Sequence, residues 1–351
     1  MTKSLKYLLA LTIPMFGFIS LANEGILAWS GLLYSFVFLP ILDHALPVNS
    51  TNYDSETIKQ VEGNRFYNLI LISLIPIQLF FLTWFLLSIN DPALSSSTFY
   101  GRIFSMGILC GVIGINVGHE LGHRTQKSLQ FGAKILLSTS LYSHFFVEHN
   151  YGHHKNVGTP EDAASANRDE WVYFFMVRSA VLGWINAWKI ESKRLKRKGV
   201  SVVSFQNEVL RWQLLQWFAL LIVFIFVGPV SGFAWICAAV AGAFLLEATN
   251  YVEHYGLVRN KVSEHRYESV EVYHSWNSDH VMGRIILFEV TRHSDHHHSP
   301  HKSYQTLRSA EGAPHLPTGY PGMIVLSLFC PLFIAIMNKK IDTLPHIVNK
   351  V

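Results

Sequence analysis

Nine of the chain's eighteen histidines fall in four short groups. "HELGH" supplies His119 and His123, and "EHNYGHH" supplies His149, His153 and His154. "NYVEHYG" supplies His254, and "RHSDHH" supplies His293, His296 and His297. Residues three or four apart share one face of a helix. The pairs 119/123 and 149/153 and the trio 293/296/297 are therefore expected to present their imidazoles together. Protonated, such groups would repel one another. Neutral, they offer converging lone pairs that need a cation. Nine nitrogens exceed the needs of one ion. Two ions with four or five nitrogens each, and positions left open, suit redox-active iron better than closed tetrahedral zinc. "HELGH" alone would spell a zinc protease with Glu120 as its base, but that leaves seven grouped histidines without a use.

The elements that must position these groups look like membrane helices. Half of the 351 residues are hydrophobic and only 15% are charged, less than a soluble domain usually carries. The apolar residues run in stretches near the length that crosses a bilayer. Six spanning helices are expected, at 7–22, 25–42, 68–88, 99–118, 212–229 and 232–250. The connectors at 23–24, 89–98 and 230–231 hold no Lys or Arg, although Arg102 sits just inside the fourth helix at that end. The opposite side carries Lys3, Lys6, Lys59, Arg65, Arg124, Lys127 and the run "KRLKRKG" at 193–199. Positive-inside logic puts that side, both termini included, in the cytoplasm. The histidine groups then gather at one face, borne by the long segments 119–211 and 251–351. The apolar piece 133–147 is expected to be interfacial or re-entrant, because both its ends face the same side. The stretch 323–337 is ambiguous between the same state and a seventh crossing. The N-terminus does not resemble a cleaved signal peptide. Without an internal repeat or a separable linker, the expectation is an all-α integral membrane protein with one domain over 1–351.

Several function classes are excluded. The net charge of +4 comes without a basic stripe interleaved with aromatics, so no nucleic-acid partner is expected. No glycines are spaced GxG and no Walker A pattern occurs. The three cysteines, Cys110, Cys237 and Cys330, lie far apart in apolar segments and are expected to be buried thiols. They form no CxxC, so electrons for redox chemistry must come from another protein. Glycines 107, 111, 114, 118 and 122 carry GxxxG spacings that favour close helix packing. Gly118 and Gly122 also flank His119 and are candidates for clearing room beside a metal.

The set "NVGHELGHR", "HFFVEHNYGHHK", "NYVEHYGL", "HSWNSDH", "RHSDHHHSPHKSYQTLR" and "LPTGYPG" resembles the integral-membrane alkane 1-monooxygenases. These are non-haem di-iron hydroxylases related to membrane fatty-acid desaturases and to xylene monooxygenase. The likeness runs from "LPILD" at the end of the second helix to "LPTGYPG". It implies six transmembrane helices with a cytoplasmic histidine-rich di-iron region in the bacterial inner membrane. It implies two iron ions held by His119, His123, His149, His153, His154, His254, His293, His296 and His297. It also implies hydroxylation of the terminal methyl of medium- to long-chain n-alkanes with O2. The electrons would come from NADH through a rubredoxin reductase and rubredoxin. His298 is an addition after the last box, read with His301 as a bystander. His274 and His280 lie in a family motif outside the boxes and are read either as partners that hold the ligand rings or as structural residues.

Other residues carry looser expectations. Glu120, Glu148, Glu253 and Asp295 adjoin the boxes and are candidates for orienting ligand N–H groups. The basic run 193–199 fits either an acidic rubredoxin or anionic lipid. In the second helix, Ala28, Gly31 and Ser35 form a small-residue stripe, either a helix contact or one wall of a substrate tunnel, with Ser35 as the tunnel candidate. A desaturase, a hydroxylase of another lipid or alkyl-aromatic, and a non-enzymatic metal-binding membrane protein remain alternatives. Desaturases often show HxxHH in the second box, whereas "HNYGHH" has one residue more.

Overall fold

The computed structural model describes residues 2–264 and 266–344. Six of its helices are long and apolar enough to cross a membrane: Lys3–Ala22, Gly25–Ala45, Arg65–Ser88, Ser96–Gly122, Glu208–Val227 and Pro229–His254. These are the six expected spans, and the chain is a multi-pass membrane protein. They run a few residues beyond most of the expected bounds. Hydropathy stops at the first polar side chain, whereas the backbone hydrogen-bond ladder continues through it. The fourth span thereby carries His119, and the sixth carries His254 as its last residue.

Side-chain caps start three of the spans. Asn64 accepts from the Phe66 N–H, Ser95 from the Thr98 N–H and Asn207 from the Leu210 N–H, which satisfies donors that a helix start leaves open. The link between the fifth and sixth spans is a single residue, Gly228, at φ +133°. A side chain there would be strained and would meet Asn90 at 2.9 Å.

The chain divides into two compact units, each built from three separate stretches. The first comprises 1–38, 64–148 and 187–246. Its centre is the fourth span, whose apolar stretch is 83% buried, against 28–44% for the other five. Its glycines make this packing possible. A Cβ on Gly107 would meet the Ala241 Cβ, and one on Gly111 the Leu245 Cδ2, both at 2.7 Å, on the sixth span. Gly118 clears Leu137 and the Ala133 carbonyl, which lets the fourth span pack closely on the segment that follows it. Arg102 donates to the carbonyls of Ser88 and Asn23, at the ends of the third and first spans. That use of a cation at helix C-termini explains an arginine on the side that is otherwise free of basic residues.

The piece 133–147 belongs to a re-entrant segment. Helix Lys127–Thr139 has only 13 residues, about 20 Å at 1.5 Å per residue. It starts beside the histidine-bearing end of the fourth span and reaches mid-span level. There Gln78 donates to the Thr139 hydroxyl, and Ser140 donates to the Cys110 carbonyl. The chain turns at Leu141, φ +50°, and climbs back through the turn Phe145–Glu148. Irregular backbone at membrane depth needs partners from protein. Trp235 donates to the Thr139 carbonyl, and Gln216 both donates to the Leu141 carbonyl and accepts from the Ser143 N–H.

The second unit comprises 39–63, 149–186 and 247–351. Buried Asp43 accepts from the Met282 and Gly283 N–H groups, anchoring helix Val281–Ile286. Arg292 donates to Asp279 and to the carbonyls of Leu307 and Thr51. These bonds fix the entry to helix His293–His298. Tyr251 and Tyr255 pack on Phe333, with ring centroids 5.0 and 5.1 Å apart. The ambiguous stretch 323–337 is broken into Tyr320–Ser327 and Cys330–Ile341, of 8 and 12 residues. At 1.5 Å per residue neither reaches across a hydrocarbon core of about 30 Å. Cys237 corrects the expectation of three buried thiols. It is exposed on the sixth span, because an apolar sequence reads alike whether it faces protein or lipid. The hairpin Lys261–Ser263 with Arg266–Tyr267 is the sole sheet among the described residues.

Candidate metal centre

Four of the grouped histidines meet inside the second unit. His153, His254, His293 and His297 each place a ring nitrogen within 4.8 Å of the others, and all four are buried. The Nε2 atoms of His153 and His297 face each other at 3.1 Å, as do those of His254 and His293. Burial holds the His297 imidazole well below its ordinary pKa, and the neighbouring histidines push in the same direction. Its lone pair is therefore available at neutral pH. Four buried imidazoles converging through Nε2 leave room for few protons between them and offer several nitrogen donors to one point. They are the donor set of a soft-to-borderline transition metal, and the residues present fit one.

The His153 ring is fixed from behind. Its Nδ1 lies 3.0 Å from both carboxylate oxygens of Asp162, so Nδ1–H donates there and Nε2 carries the lone pair. Burial pushes the Asp162 carboxyl up, but His153 beside it, the Ser165 hydroxyl and His254 pull it down further, to a net value below the ordinary range. Ser165 donates to Asp162 at 2.6 Å and the Ala164 N–H at 3.3 Å. Asp162 was not among the expected residues. Its signal is a carboxylate in "GTPEDAAS", a turn-forming stretch nine residues after His153. His254 has a weaker counterpart, with the Ser275 Oγ 3.4 Å from its Nδ1.

A second set of three lies in the same unit. The Nε2 atoms of His149 and His154 are 2.9 Å apart, and the His296 ring lies 4.8 Å from that of His154. The expected pairing is corrected here. Residues 149 and 153 do not share a direction, because His149–His153 is a π-turn. The wider i→i+5 turn rotates position i+5, His154, toward His149 and leaves His153 aimed at the other set. In helix His293–His298, positions 293 and 297 act together, as i,i+4 spacing requires, while His296 joins His149 and His154.

In the first unit, the Nε2 atoms of His119 and His123 face each other at 3.1 Å. Both sit at the end of the fourth span, directly after the π-helical stretch Cys110–Val117.

The flanking carboxylates divide. Glu253 Oε2 is 3.2 Å from the His293 Nε2. That is the nitrogen that faces His254, so Glu253 borders the centre instead of holding the ring from behind. Glu120 pairs with Arg124 at 2.7 Å, and Glu148 is buried. Asp295 is engaged by Lys302 and by the Arg308 N–H. His298 turns outward, its side chain 45% exposed and 4.0 Å from Glu271. Buried His274 pairs with Glu268 and accepts from the Glu271 N–H, and His280 lies beside Ser278. Ser105 of the fourth span donates to the Ala28 carbonyl and accepts from the Gly31 N–H of the second, so that end of the small-residue stripe is a helix contact. Ser35 is also buried, and its hydroxyl has no partner among the described residues.

Comparison with known proteins adds the chemistry. The fatty acid desaturase family matches residues 95–326. The alkane 1-monooxygenase of Ectopseudomonas oleovorans is 36% identical over 334 residues, covering 93% of this chain and 82% of that protein. Alkane 1-monooxygenase 1 of Pseudomonas aeruginosa is 39% identical over 91% of this chain and 84% of its own length. The xylene/toluene monooxygenase hydroxylase component of Pseudomonas putida is 29% identical over 68% of this chain and 63% of its own length.

Proposed function

The chain belongs to the fatty acid desaturase family and, within it, to the alkane 1-monooxygenases, and we propose that it hydroxylates the terminal methyl of medium- to long-chain n-alkanes to primary alcohols. The observation that carries the proposal is the buried set of four histidines with Asp162 behind His153, in a membrane chain whose relatives are alkane monooxygenases over most of their length. We assign His153, His254, His293 and His297 to one iron. His149, His154 and His296 are assigned to a second, and His119 and His123 remain ligands that the family resemblance implies. Bound iron supplies the activation of O2 that an unreactive C–H bond demands.

The chain's own residues then have defined tasks. Asp162 holds the His153 ring in one tautomer. Glu253 places a carboxylate oxygen beside His293, where a proton can be held during O2 reduction. The burial of the four rings excludes water. A methyl terminus offers no polar handle, so selection must be steric. We place Ser35 on the wall of the path by which the alkyl chain reaches the irons. The chain has no dinucleotide fingerprint and no CxxC, so its electrons come from an electron-transfer partner. We propose rubredoxin, reduced by an NADH-dependent rubredoxin reductase. The Lys and Arg distribution supports an inner-membrane location with both termini cytoplasmic. The two compact units interleave in sequence, which supports one catalytic domain over 1–351.

The test supplies membranes containing the protein with NADH, rubredoxin, its reductase and a medium-chain alkane. The 1-alcohol is the expected product. An alkene, or turnover of xylene with none of the alkane, would overturn the assignment, as would one tightly bound zinc and no iron.

A further inference from the structure

We propose that helix Val172–Arg197 lies in the plane of the membrane surface and binds anionic phospholipid. The inference does not depend on the catalytic reading, only on the chain being a multi-pass membrane protein.

The helix has 26 residues and two distinct sides. Val172, Phe175, Ser179, Ala187, Glu191 and Leu195 are buried. They dock the helix on the protein: the Phe175 ring lies 5.4 Å from that of Tyr251, and Trp188 donates to Gln213. The other side changes character along its length. Over the first half it is apolar, with Phe174 72%, Val177 54%, Val181 51% and Trp184 42% exposed. These recur at spacings of three, four and three, a single helical stripe. Over the second half the outward residues are Lys189, Lys193, Lys196 and Arg197, followed directly by exposed Lys198. The one carboxylate between Val172 and Asn207 is Glu191. It is buried, bonded to Arg194 and to the Glu208 N–H, so it neutralises nothing on the outward side. After the helix, Val203 and Phe205 are 82% and 79% exposed.

Three observations fix the occupant. The fifth span begins at Glu208, eleven residues after Arg197, so the basic half must lie close to the bilayer surface. A juxtamembrane cluster of Lys and Arg attracts anionic headgroups. An aromatic and aliphatic stripe beside such a cluster is the composition of a helix that rests at the headgroup–acyl boundary. An acidic protein would satisfy the lysines but not the adjoining apolar stripe.

The full-length protein is placed in nanodiscs of phosphatidylcholine, with or without phosphatidylglycerol. Single nitroxide labels at Val177→Cys, Val181→Cys and, as a loop control, Glu311→Cys are introduced in a Cys237→Ser background. Accessibility to O2 and to a water-soluble nickel chelate is compared. The expected result is a several-fold higher O2-to-nickel ratio at 177 and 181 than at 311, corresponding to a depth of about 5–10 Å. Phosphatidylglycerol is expected to deepen both labels. The combined change Lys193→Gln, Lys196→Gln and Lys198→Gln is expected to abolish that increment. Quenching by brominated lipid, taken as wild type minus Trp184→Phe, reads the same depth without a label. Ratios at 177 and 181 equal to that at 311 would overturn the proposal. So would protection that appears only when an electron-transfer protein is added, since that identifies a protein-docking face.

Discussion

Replacing Asp162 is expected to weaken metal retention before it weakens the fold. Both Asp162 oxygens lie 3.0 Å from the His153 Nδ1, and the two residues are 4% and 1% exposed. In Asp162→Ala the Nδ1–H donor stays buried without an acceptor, a loss of about 1–3 kcal/mol. At about 1.4 kcal/mol per tenfold, that is roughly a 5- to 140-fold loss of affinity, in line with the effect of removing such outer partners from metal-bound histidines. Asp162→Asn keeps an oxygen that can accept the bond but drops the charge, so its loss should be about tenfold or less. Ser165→Ala leaves the carboxylate and its charge in place and should have the smallest effect. The assay is equilibrium competition for iron between the solubilised protein and a chelator, with helix content followed by circular dichroism. The expected order of retention is wild type, Ser165→Ala, Asp162→Asn, Asp162→Ala. An Asp162→Ala protein that keeps its helices and holds iron as tightly as wild type would refute the argument.

Three further outcomes are expected. His297→Ala should lose both iron and alkane turnover while His298→Ala keeps most of each, and the reverse pattern, read by metal content and product yield, would show that the fourth group is misassigned. Ser35→Trp should cut turnover of long alkanes and spare short ones, whereas a uniform loss along an alkane series would show that Ser35 packs between helices and borders no path. Gln216→Leu strands a backbone donor and an acceptor at the re-entrant turn, so thermal stability in detergent should fall by about 1–3 kcal/mol for each group left unpaired, and an unchanged melting temperature would deny the glutamine that role.

The six spans were legible because a lipid-crossing helix must be long and apolar, and hydropathy measures that directly. What hydropathy could not see were elements whose reason is local. Helix Val172–Arg197 mixes Phe, Trp and Val with Lys and Arg and so falls below any spanning threshold, yet it is as long as the sixth span. The re-entrant turn depends on Gln78, Gln216 and Trp235, each an ordinary polar residue in an apolar run until its partner is known. Asp162 was hidden for the same reason. A carboxylate in a loop is solvated far more often than not, and only the position of His153 makes it a ring holder.

The grouping of the histidines shows where sequence spacing reaches its limit. An α-helical reading of "HNYGHH" pairs residues 149 and 153, and the structure pairs 149 with 154 because one turn is wound wider. The HxxHH pattern has three residues from its first histidine to its second, where this chain has four. One added residue cannot be absorbed by an α-helix without rotating everything beyond it by about 100°. Taken up in a single i→i+5 turn, it changes the direction of the inserted position and leaves the flanking turns in place. Here that turn lets three histidines from six consecutive residues serve two different sets, with His153 aimed toward His297 and its neighbours aimed away. The same device precedes His119, where Cys110–Val117 is π-helical at the end of the most deeply packed span. In both places a wide turn sets the direction of histidine side chains on a helix whose axis is already fixed by packing.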